Sequence, residues 1–265
     1  MIYAQVLAEN ETEDTGLKGE ISEKKMNTEL DITKYRPYKD YRGQCKFKSM
    51  TEKKLVWPKI DKKYILENKY VLRPIEEDEI EEIVQVYREG LPEVYGNYEF
   101  DSILWSDRLS KELQNDKGFM KGDVLSIVAE KLDDQKLVGS VMIKMSHENM
   151  SIYLEHGVVR PGYRGQKIFK ELCTYCDKII ENTGTEYASA LAVTFHSATQ
   201  KVLESLGWNT RGIFPGAIAI WNHEDKYYRH SLVYFDKFYN DGEELVPKDM
   251  ELTPKITSVL ECLAL

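Results

Sequence analysis

Three things are scarce in this 265-residue chain. No run approaches the ~18 consecutive apolar residues of a membrane helix, so no membrane partner is expected. Positive charge is in the minority: 36 Lys and Arg face 45 Asp and Glu, for a net charge of −9 and a pI near 5.3. A nucleic-acid binder usually shows a basic face, so no nucleic-acid partner is expected either. Cysteine is limited to Cys45, Cys173, Cys176 and Cys262, whose spacing frames no disulfide scaffold. The single CxxC, Cys173 to Cys176, lies in a helical pattern without a second pair and reads as a structural thiol pair, so no metal is expected. Cys262-Leu263-Ala264-Leu265 has the form of a prenylation box, but nothing polybasic precedes it. Leu260, Leu263 and Leu265 read more simply as the end of a packed apolar tail. The opening Met1–Leu7 has no basic start and is short for a signal peptide, so a cytoplasmic location is expected.

What is present is the composition of a soluble globular protein, 42% apolar and 31% charged. Residues 1–68 read as an N-terminal extension, partly ordered or covering the core, acidic at Glu9–Asp14 and then rich in Lys and Tyr. Regular patterning begins near Lys69. A strand is expected at Tyr70–Pro74, followed by a helix entered through Glu76–Glu79, with acidic residues where the helix dipole favours them. Ile103, Leu104, Leu109 and Leu113 recur at helical spacing within 100–113. Strands follow at 124–130, 137–144 and 152–159, then a helix to about Asn182. A strand at 187–193 precedes a helix from His196 to Leu206, closed by Gly207. The stretch 209–231 reads as a loop, and a last strand occupies 232–238. Antiparallel strands followed by α/β alternation imply an α+β (mixed α/β) fold: a mixed, mostly antiparallel sheet with helices on both faces. Residues 69–240 form the expected domain, and 241–265 a C-terminal tail packed on it.

The most informative stretch is Val159-Arg160-Pro161-Gly162-Tyr163-Arg164-Gly165-Gln166-Lys167-Ile168-Phe169. An apolar strand enters it and an amphipathic helix leaves it. A strand that ends in a glycine-bearing turn and opens a helix presents free backbone N–H groups at the positive end of a helix dipole, which suits phosphate.

From about Lys69 to Phe238 the order of elements resembles the GNAT superfamily, the Gcn5-related N-acetyltransferases. The resemblance rests also on Val159-x-Pro161-x-Tyr163-Arg164-Gly165 and on Leu206-Gly207-Trp208 after the later helix. The family signature is Gln/Arg-x-x-Gly-x-Gly/Ala, whose amides hold the pyrophosphate of acetyl-CoA. Arg164 stands at its first position, Lys167 at the first Gly and Phe169 at the second Gly or Ala. The resemblance implies a cradle built from Arg164, Gly165, Gln166, Lys167, Ile168 and Phe169. It also implies that backbone at Val158 or Val159 polarises the thioester carbonyl.

Acyl transfer to an amine requires a polarised carbonyl, a base for the amine and a proton or dipole for the departing thiolate. Glu155 and His156 are the candidate bases. Strict strand alternation would send them to opposite faces, so that only one meets the amine. Family members place a Tyr, as the acid, where this chain has Leu203, and an Asn where it has His196. His196, Ser197 or solvent then remains to meet the thiolate. The expected activity is acyl-CoA-dependent N-acyl transfer, with acetyl-CoA or another acyl-CoA as co-substrate. The acceptor would be a small-molecule or peptide amine, and a homodimer is possible. The rival is a non-catalytic acyl-CoA-binding or partner-docking module.

Overall fold

The computed structural model describes residues 43–49, 54–95, 106–221, 226–248 and 251–263. The readings made for residues 1–42 and for 96–105 lie outside them. Apolar alternation builds eight strands: β1 (Lys63–Ile65), β2 (Tyr70–Pro74), β3 (Val124–Lys131), β4 (Leu137–Ser146), β5 (Ser151–Val159), β6 (Tyr187–Val193), β7 (Asn209–Trp221) and β8 (Tyr227–Phe238). They form one sheet in the order β1-β2-β3-β4-β5-β6-β8-β7. Every pairing is antiparallel except β5 with β6. The mixed, mostly antiparallel sheet is as expected.

Helices cover both faces. On one side α1 (Ile80–Gly90), followed by the short α2 (Pro92–Tyr95), and α3 (Ser106–Leu113) bring Ile83, Val84, Tyr87, Leu109 and Leu113 onto Val128, Leu137 and Val158. On the other, α4 (Ile168–Glu181) and α5 (Ala198–Ser205) bring Ile168, Leu172, Cys173, Cys176 and Leu203 onto Ile127, Val141, Ile152 and Phe235. Each such side chain, fully buried, contributes about 1.5–3 kcal/mol. Cys173 and Cys176 are free and buried, and burial pushes both thiols well above their ordinary range. They stay protonated and act as small core side chains.

α1 begins where the sequence signals it. Before it, Glu76 and Glu79 form a capping box, with the Glu76 N–H donating to Glu79 Oε2 at 2.7 Å. Arg73, 5% exposed, ties this entry to the sheet by donating to Glu79 and Glu130 at 2.5–2.8 Å. At the end of α5, Gly207 takes φ +76° and donates to Glu204 O at 3.0 Å, the expected C-cap.

Two departures from the sequence reading stand out. The stretch 209–231 is not a loop: β7 and the first part of β8 fill it as a long hairpin at the sheet edge. Gly212, Pro215 and Gly216 look like turn signals, but an edge strand absorbs them in register shifts at Thr210/Gly212 and Phe214/Ile218. Part of the N-terminal extension lies in the sheet and core: Leu55 and Ile65 are core residues at 4% and 6% exposure, and β1 pairs with β2. Near the C-terminus lies α6 (Pro254–Leu263). Its Ile256, Val259 and Leu260 are exposed, where a packed apolar tail was expected. Among the described residues, no helix is long and apolar enough to cross a membrane.

Candidate active site

The site arises where β5 and β6 part. They pair in parallel only from Ser151–Leu154 to Tyr187–Ala190. Beyond Leu154, β5 runs on beside β4 to Val159, while Leu191 to Val193 of β6 pair only with β8. The inner edge of β5 is thereby left open. Across the face, α2 packs against β7 and helps to wall the opening. The Arg160 N–H donates to Val138 O of β4 at 2.8 Å. Successive amides of an extended strand point to opposite edges, so the Val159 N–H is directed into the split and the Val158 N–H away from it.

β5 contains a bulge at the same level. Met142 pairs with Glu155 and Ser140 with Val158, so His156 and Gly157 together oppose Val141. His156 takes up the extra residue at φ +48°. The bulge cancels one step of the alternation. His156 stacks edge-on to Tyr87 of α1, ring centroids 6.1 Å apart. Glu155 Oε2 lies 3.9 Å from His156 Nε2. The opposite-face expectation for this pair is therefore corrected: the two side chains lie together on the α1 side. A glycine inside a strand pattern was the available sign of a bulge.

The environment drives the two groups toward each other in acidity. Burial pushes the Glu155 carboxyl up; the Lys144 charge opposes this and Glu112 adds to it. Burial, with a smaller effect from Lys144, holds His156 down to about 4. His156 is thus neutral at neutral pH, and Glu155 is a stronger base than an ordinary glutamate. Lys144 and Glu112 lie 3.6 Å apart beside the pair.

The turn after β5 supplies the anion end. Gly165 (φ +78°) and Lys167 (φ +66°) are both left-handed, and Lys167 is the N-cap of α4. A glycine is favoured at such a position for its φ as well as for close approach. The first helix-entry N–H to reach a carbonyl is that of Glu171, to Lys167 O at 3.0 Å. Helix geometry leaves the amides of Ile168, Phe169 and Lys170 without intrahelical partners. The two bulky replacements are accommodated away from them. Lys167 is exposed, and the Phe169 ring lies over Gly157, where a Cβ would come within 2.7 Å of it. Tyr70 donates to Gln166 Oε1 at 2.8 Å, tethering the turn to β2. Arg164 donates through Nε to Val159 O at 3.3 Å and through its other nitrogen to Gly90 O. It thus locks the turn onto the end of α1. Sequence reasoning missed the tethers from Tyr70 and to Gly90, because neither leaves a local sequence pattern.

A β5–β6 split, a bulge at its mid-point and a helix N-terminus at its end decide the relationship. Residues 80–208 match the acetyltransferase (GNAT) family. This part of the chain is a GNAT acetyltransferase domain. Solved structures agree in fold. A ribosomal-protein-S5-alanine acetyltransferase from Vibrio fischeri shares 13% identity at TM-score 0.54, over 71% of this chain and 100% of that one. A GCN5-related N-acetyltransferase from Kribbella flavida shares 17% at 0.52, over 65% and 99%. Spermidine N-acetyltransferase from Vibrio cholerae, in complex with CoA and spermine, shares 12% at 0.52, over 66% and 98%. No curated protein matches the chain.

Within the GNAT domain, Leu203 is wholly buried in the core. His196 is exposed in the segment between β6 and α5. Burial lowers its pKa, the Arg164 charge lowers it further, and Glu93 opposes. That coupling puts His196 at the same mouth as the α4 turn. Among the described residues, no group of three His, Cys, Asp or Glu is arranged to hold a metal ion.

Proposed function

We propose that the chain is an acyl-CoA-dependent N-acyltransferase, with acetyl-CoA the expected donor and an amine the acceptor. The observation that carries this is the open inner edge of β5, with Glu155 and His156 on one side of it and the free amides of α4 at its end. The pyrophosphate would sit on the amides of Ile168, Phe169 and Lys170, beside Gly165 and Gln166. The pantetheine would lie in the split, with the Val159 N–H donating to the thioester oxygen. Glu155, aided by neutral His156, would take the proton from the ammonium form of the acceptor. The amine nitrogen then bonds to the carbonyl carbon and gives its second proton to water, the C–S bond breaks and CoA leaves as thiolate. His196, or water at the mouth, returns a proton to it. The buried thiols of α4 take no part, so attack is direct in a ternary complex.

A thermal-shift titration with acetyl-CoA, run beside a free-thiol assay over an amine panel, tests this. Stabilisation by acetyl-CoA and amine-dependent thiol release are expected. No shift at millimolar acetyl-CoA would overturn the reading. A shift without turnover on any amine would leave an acyl-CoA-binding module instead.

A further inference from the structure

β8 carries an aromatic stripe that the chemistry above does not use. Val233 and Phe235 face the α4-side core, so Tyr228, His230 and Tyr234 face the other way, on the side of Glu155. Tyr228 meets His230 edge-on at 5.1 Å. Phe195, just past β6, meets His230 at 5.2 Å and His196 at 5.1 Å. His196–Phe195–His230–Tyr228 is therefore one continuous ladder of rings. Its inner end is His196, at the mouth of the split beside Arg164 and Glu93. Its outer end, Tyr228, is 45% exposed. Single exposed apolar residues are ordinary, but a contiguous run of rings leading from a reaction cleft marks a ligand surface. A ring carried by a ligand can extend such a ladder through the same edge-to-face contact. Polyamine recognition calls for a row of carboxylates. Among the described residues the cleft shows no such row: Glu112 is already beside Lys144, Glu155 lies inside, and Glu93 stands at the mouth near His196.

We propose that this ladder is the specificity wall of the acceptor site and selects amines carrying an aromatic ring over aliphatic amines and polyamines. The proposal rests on the acyltransferase reading. Its test measures acceptor binding directly, so the two can fail separately. The full chain is titrated calorimetrically with tryptamine, phenethylamine, hexylamine and spermidine, each without CoA and at saturating CoA. The ring-bearing amines are expected to bind about tenfold tighter than hexylamine. In Tyr228→Ala and His230→Ala that ratio should fall to about one, with the acetyl-CoA thermal shift reporting that each variant is folded. Equal affinities, tighter spermidine, no binding of any amine in either condition, or a ratio that survives both substitutions would overturn the proposal. A ring preference without any acetyl-CoA shift would sink the acyltransferase reading and leave an aryl-amine site. A shift without ring preference would sink the ladder alone.

Discussion

His156 holds the left-handed region at φ +48°, and its position sets two expectations. The first concerns pH. With His156 held down to about 4, the unfolded chain binds the extra proton between the ordinary histidine value and pH 4. Stability from this group is then fully present above about 6.5 and is lost as pH falls to 4, by at most about 3 kcal/mol. Glu155, pushed up by burial, acts in the opposite sense above its ordinary value. The comparison that isolates His156 is His156→Phe: denaturant unfolding across pH 4–7 should show a flatter profile than the parent. An unchanged slope would mean that His156 is not held neutral. The second expectation concerns Glu155. Glu155→Gln should lower kcat by about 10²–10⁴ while the acetyl-CoA thermal shift is kept, as for a lost general base. A parallel loss of the acetyl-CoA shift would assign Glu155 to cofactor binding instead.

Elements meet the site through packing that no single element specifies. The contact of α4 with β5 depends on Gly157 leaving room for the Phe169 ring. Gly157→Ala is expected to cost about 1–3 kcal/mol by overpacking. It should also weaken acetyl-CoA binding, because Phe169 belongs to the first turn of α4. Phe169→Leu in the same chain should recover part of both losses, read as a double-mutant cycle in unfolding and thermal-shift experiments. The amphipathic α1 and α4 and the core strands were legible from apolar period alone. The hairpin of β7 and β8 was not, since Gly212, Pro215 and Gly216 carry turn chemistry that only an edge strand tolerates. The anion turn was legible as a strand-to-helix junction. What made Lys167 and Phe169 compatible with it was the left-handed N-cap that Lys167 itself adopts and, elsewhere in the chain, Gly157.

At the scale of the whole molecule, residues well before Lys69 support the sheet. Trp57 donates to Gly122 O at 2.8 Å, Lys63 bonds Glu171 of α4 at 2.8 Å, and Leu55 and Ile65 enter the core under α4. Leu55→Ala is expected to cost about 2–5 kcal/mol, and a chain trimmed at Lys69 should melt lower than the full chain by a larger margin. Calorimetric unfolding of the two would show it. Equal melting would make residues 54–66 dispensable. Local sequence determined α1, α3, α4 and α5, the core strands, the junction after Val159 and the family, because 3.6- and 2-residue periods and turn residues are properties of neighbours in the chain. Tertiary structure decided three things. It decided where β5 and β6 part, on which side Glu155 and His156 lie, and which distant side chains hold the α4 turn. The reason is physical: a one-residue bulge reverses every side chain beyond it, and hydrogen bonds from Tyr70 and to Gly90 close over separations that no local pattern records.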